Sequence, residues 1–129
     1  MGVKKNIKIK QGLILSYNED DRSIVLDPTG IKLCELNNAG LAILSACNGK
    51  QEKILSNIES KGIDKKTTKS FISKLVKLGL IQKTSKAQTN ENKLLDEKEI
   101  DQFLKSKNEP PTVKECDLSY GYFSKHLPK

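Results

Sequence analysis

The chain has 129 residues, 36% of them hydrophobic, with 23 Lys/Arg against 16 Asp/Glu for a formal net charge of +7. That length supports one modest domain and a tail rather than two full cores, and it leaves little room for an enzyme-sized cleft. The charge is unevenly spread: residues 1–83 hold 15 Lys/Arg and 8 Asp/Glu, residues 84–129 hold 8 of each, so an acidic partner would meet the first part.

Three cysteines, Cys34, Cys47 and Cys116, form no CxxC pair, and an odd number argues against a secreted disulfide framework. Free thiols in a reducing cytoplasm are the simpler expectation. No apolar run approaches the roughly 20 residues of a membrane span, and the opening MGVKKNIKIKQG lacks the apolar region of a signal peptide. Gly2 opens a stretch loosely like a myristoylation signal, but Asn6 stands where Ser or Thr is needed.

In chain order, GLILSY (12–17) and SIVLD (23–27) are short aliphatic runs around a polar turn of Asn18, Glu19, Asp20, Asp21 and Arg22, which reads as a hairpin. The run Ile7-Lys8-Ile9 extends the first of these strands. Asp27-Pro28-Thr29-Gly30 suits a type I turn, and a third strand over 31–36 completes a three-stranded meander.

Asn37 has the chemistry of an N-cap, with Ile43 and Leu44 in the helix that follows and Gly49 placed to end it. A second helix carries Ile54, Leu55 and Ile58 and stops before Gly62. A third starts after Asp64, carries Phe71, Ile72, Leu75, Val76 and Leu78, and stops at Gly79. Leu80-Ile81 is a short apolar end that can pair or pack.

The division that follows is a domain over 1–83, a polar linker over 84–93, and a tail over 94–129. The tail holds one short amphipathic helix (94–104), a Pro110-Pro111 break and an aromatic-rich end. The tail cannot bury a core alone, so it docks on residues 1–83 or waits for a partner.

The residues offer no catalytic constellation. His126 is the only histidine, near the chain end and ten residues from Cys116, which is poor support for a nucleophilic pair. The cysteines and His126 lack metal-ligand spacing, and Cys34 and Cys47 read as small core residues. Glu19, Asp20 and Asp21 read as a solvated turn, and there is no GxGxxG or GxxxxGK[ST]. The expectation is a non-enzyme without cofactor or metal.

Two binding readings remain. Lys65, Lys66, Lys69, Lys74 and Lys77 make the third helix basic, as in a DNA-binding winged helix. That helix has no Arg, Asn or Gln for bidentate base contacts, so nucleic acid is the second choice. Peptide binding by strand addition needs a free strand edge beside an apolar groove. On the third helix Phe71, Leu75 and Leu78 share one face, while Ile72 and Val76 lie further round beside lysines. That strip either lines a groove for a mixed apolar and acidic peptide or packs against the strands or the tail.

The order of meander, "GIKLCELNNAGLAILSACNG", a second helix and "FISKLVKLGLI" resembles the PqqD-like domain, or RiPP recognition element, over about residues 12–83. The shared pattern is Leu36-Asn37, a small residue at Gly40, Ile43-Leu44, Asn48-Gly49, then Phe71, Leu75 and Gly79-Leu80-Ile81. The stretch GKQEKIL is shorter than the corresponding one in the family.

The resemblance implies an α+β, winged helix-turn-helix-like fold: a three-stranded antiparallel meander, three helices, and here a C-terminal tail. It also implies a non-catalytic domain that binds the leader of a ribosomally made precursor peptide and presents it to a modifying enzyme, such as a radical SAM enzyme. Carried over, the peptide-binding edge is Ile31, Lys32, Leu33, Cys34 and Glu35, and the groove wall is Lys69, Ile72, Ser73 and Val76. A cytoplasmic monomer or homodimer follows, with no membrane partner. The tail can contact the modifying enzyme, fold back over the groove, or be the remnant of a fusion.

Overall fold

The computed structural model describes residues 6–19, 21–85, 94–105 and 110–116. Asp20, His126, most of the expected linker (86–93) and the aromatic-rich end beyond residue 116 lie outside the described residues.

The protein is α+β. In chain order it forms β1 (Asn6–Ile9), β2 (Ile14–Glu19), β3 (Arg22–Asp27), β4 (Lys32–Leu36), α1 (Asn38–Ser45), β5 (Gly49–Lys50) and α2 (Gln51–Glu59). These are followed by α3 (Lys65–Lys77), β6 (Ile81–Thr84), α4 (Glu97–Lys105) and β7 (Val113–Cys116). The strands make two antiparallel sheets, ordered β5-β1-β6 and β2-β3-β4-β7.

The hairpin and the strand before Asn37 are where the sequence pattern puts them. A three-stranded meander followed by three helices is nevertheless too simple. Ile7-Lys8-Ile9 does not lengthen the hairpin: Gly12 takes φ +86° in the turn after Lys10, and the redirected chain leaves β1 to pair with β6 and β5. Leu80 and Ile81 are both buried, and Ile81 opens β6 opposite Ile9.

Helix α1 is apolar all round, as a helix at the centre of a core must be; every residue from Ala39 to Ser45 is buried. Helix α3 begins at Asp64, whose carboxylate accepts the Thr67 N–H at 2.8 Å. It ends in a Schellman arrangement: Gly79 sits at φ +79°, its N–H donates to the Val76 carbonyl (3.0 Å), and the Leu80 N–H donates to the Leu75 carbonyl (3.0 Å). Phe71, Ile72 and Leu75 of α3 join Leu41, Leu44, Ile58 and both sheets in one cluster.

The tail docks on the domain. Leu95 and Leu104 are buried in the same cluster, α4 packs on α1, and Asp101 pairs with Lys61 at the end of α2. Burial of two leucines at roughly 2 kcal/mol each is enough to hold a nine-residue helix that is marginal alone.

Asp27 ties the two sheets together. Its side chain is 2% exposed; Oδ2 accepts from Lys10 at 2.7 Å, and Oδ1 accepts from Thr29 (2.9 Å) and the Gly30 N–H (3.2 Å). Burial works to raise the carboxyl pKa, but the hydrogen bonds from Lys10, Thr29 and Gly30 and the Lys10 charge outweigh it, so the pKa is lowered below 3.8. A depressed folded-state pKa contributes stability above the unfolded value and loses it as pH falls through the folded one. Asp27→Asn should therefore cost about 2 kcal/mol at pH 7. The gap to the parent in chemical denaturation should narrow below about pH 4.

Candidate peptide-binding edge

The outer edge of β4 is the candidate edge, and the chain's own tail lies on it. β7 pairs antiparallel with β4 in the register Leu33 with Cys116, Cys34 with Glu115, Glu35 with Lys114 and Leu36 with Val113. An unpaired third strand was the expectation. In the structure the strand accepts a partner from 77 to 83 residues further along the chain, the separations of the end pairs.

The site is built around Asn37, which is 8% exposed. Its Oδ1 accepts the Gly40 N–H at 2.8 Å, which caps α1, and also the Thr112 N–H at 3.0 Å. Its Nδ2 donates to the Pro110 carbonyl at 2.8 Å, and its backbone N–H donates to the Thr112 carbonyl at 3.4 Å. Only one orientation of the carboxamide satisfies this set, since the flipped amide would aim its NH2 at two N–H donors.

Gly40 makes room for the same segment. A Cβ there would stand 2.5 Å from the Thr112 carbonyl oxygen and 3.0 Å from Phe71 Cζ of α3. The tail backbone, α1 and α3 thus converge on one point.

At the other end of β4, the Lys32 ammonium donates to the Leu78 carbonyl at the C-terminus of α3 (2.8 Å) and pairs with Glu115 of β7 (3.4 Å). Between these two anchors Val113 packs against the core.

The predicted site residues divide accordingly. Lys32, Leu33, Cys34 and Glu35 lie in β4. Ile31 precedes the strand, in the left-handed region at φ +49° and 74% exposed, because the turn closed by Asp27 extends one residue beyond Gly30. On α3, Ile72 is 1% exposed and belongs to the core, Val76 is half-buried against it, and Lys69 and Ser73 are exposed. Of the two readings of the Ile72 strip, packing holds for Ile72.

Sequence reasoning missed two contributors. Asp21, which the sequence pattern places in a solvated turn, accepts the Asn38 N–H at 2.9 Å and so supports the first turn of α1. Asn37 was legible as a cap but not as a partner of the tail.

Burial pushes the Cys34 thiol up to about 11, and burial alone raises that of Cys47 further, so both are protonated thiols at neutral pH. Among the described residues no three of His, Cys, Asp and Glu are grouped to hold a metal ion. Nor, among them, is any helix long and apolar enough to cross a membrane.

No protein-family model, curated protein or solved structure matches the chain with significant similarity.

The close approach at Gly40 yields a prediction. Gly40→Ala gains up to about 1 kcal/mol of helix propensity, but its methyl must displace the Thr112 backbone or Phe71, with a net loss of about 1–2 kcal/mol. Hydrogen exchange should locate the damage, with β7 amides exchanging faster and α2 amides unchanged.

Proposed function

We propose that this protein is a non-catalytic peptide-binding module that takes up the leader segment of a ribosomally made precursor by strand addition to β4. It then presents the rest of the precursor to a modifying enzyme, such as a radical SAM enzyme. The observation that carries the proposal is the β4 edge itself. Its backbone accepts an extended segment in antiparallel register, with Asn37 at one end and Lys32 at the other.

The architecture supports this reading. Helices α1, α2 and α3 followed by β6, resting on the small β5-β1-β6 sheet, are compatible with a winged helix-turn-helix. Lys69, Ser73 and Val76 remain accessible on α3 for side chains of a longer ligand. Lysines at 65, 66, 69, 74 and 77 are all exposed and would speed encounter with an acidic leader.

The same lysines are the one observation favouring a DNA-binding winged helix. Ser and Lys are the exposed polar types on that helix, which gives phosphate attraction without bidentate base reading.

Titrating the full chain with the leader of a precursor encoded beside its gene should give binding that weakens by about tenfold or more between low and physiological salt. Lys69→Glu should raise the Kd severalfold without lowering Tm, since the side chain is exposed. Failure of every neighbouring leader to bind, together with a sequence-selective gel shift that survives physiological salt, would overturn the proposal in favour of DNA.

A further inference from the structure

Antiparallel pairing sends the N–H and C=O of alternate residues toward the partner strand. Along β4 this ladder reaches Asn37, and there the chain turns into α1. The Asn37 carbonyl is already committed to the helix, accepting the Leu41 N–H at 2.9 Å. A partner strand would therefore lose its acceptor at this rung.

The Asn37 side chain replaces it. Oδ1 takes the Thr112 N–H that the carbonyl would have taken, and Nδ2 reaches the carbonyl two residues earlier, at Pro110. In an extended chain, the C=O of one residue and the N–H two residues on point the same way. The carboxamide thus continues the edge by reading backbone alone.

The side chains of the bound segment supply the selectivity. Val113 and Glu115 alternate onto one face: Val113 meets the core, and Glu115 meets Lys32. Apolar, any residue, acidic is the pattern that β7 presents to this face.

We infer that residues 110–116 are a tethered occupant of the strand-addition edge, held by the Asn37 carboxamide, and that an extended peptide with an apolar-x-acidic pattern enters by displacing them. This rests on the proposed peptide-binding reading and names the ligand class and regulation of that site.

The experiment uses the full chain and, as probe, an N-acetylated synthetic peptide of residues 110–116 with a C-terminal fluorophore. The Lys114 N–H falls in the same phase as that of Thr112 and faces β4, so Lys114→Pro should release the tail, whereas Lys114→Ala should not. Fluorescence anisotropy should show the proline variant binding the probe at least about tenfold more tightly than the parent or the alanine variant, because the competent state is no longer a minor one. A probe carrying Glu115→Lys should bind severalfold more weakly.

Asn37→Asp in the released background isolates the clamp. Aspartate caps α1 as well as asparagine but cannot donate to the carbonyl at 110, so probe affinity should fall at least about fivefold while Tm holds. Equal probe binding by parent and proline variant, with folding confirmed by hydrogen exchange of α1, would overturn the inference. So would an unchanged affinity in the Asn37→Asp variant. Probe capture without binding of any leader would leave this inference standing and sink the leader reading. Leader binding of equal strength by parent and proline variant would do the reverse.

Discussion

The passage from β4 into α1 is the constraint on which the rest of the site depends. A residue at that junction owes its carbonyl to the helix and its edge to the sheet, and the backbone alone cannot serve both. Asn37 resolves the conflict with its side chain. One carboxamide caps the helix, supplies the missing acceptor of the ladder and adds a donor beyond it. Serine or threonine would cap the helix too, but neither has a second polar atom at the far side of a planar group.

The rest of the neighbourhood is arranged so that a strand can lie there. Gly40 leaves out the Cβ that would meet the incoming backbone, and Asp21 holds the first turn of α1 from the opposite hairpin. Lys32 fixes the far end of the edge to the C-terminus of α3, where its charge also offsets the helix dipole. Backbone pairing is tolerant of sequence, so on the proposed peptide-binding reading discrimination among ligands falls to the few inward positions that touch the core or Lys32.

The helices were largely legible in the sequence because their signals are local. Asn37 and Asp64 as caps and Gly79 as a stop each act within a turn, and the apolar spacing of α3 places Phe71 and Leu75 inside whatever lies opposite. The sheets were less legible because pairing is not local. Nothing in Ile7-Lys8-Ile9 distinguishes an extension of the hairpin from a strand that waits more than seventy residues for Ile81 to Thr84. The docking of residues 113–116 was hidden for the same reason: VKEC has the composition of a solvated tail, and its register exists only once β4 and Asn37 are in place. Ile72 shows the limit of helical periodicity, which gives the angle of a side chain but not whether the space it faces is filled.

A strand edge left open is a liability, since it invites pairing with any extended chain, including another copy of this one. Covering it with a segment of the same chain moves the open edge from β4 to the short β7 and, on the proposed peptide-binding reading, raises the threshold for a ligand. A tethered strand acts at an effective concentration of order mM, so a free peptide of equal intrinsic affinity at about μM levels cannot displace it. On the proposed reading, a productive ligand has to add contacts that β7 does not make. On α3, Lys69 and Ser73 are exposed and Val76 is half-buried, and the helix carries further exposed lysines on either side. A longer, more acidic segment could use both the β4 backbone and this surface, and would then win where a short one loses.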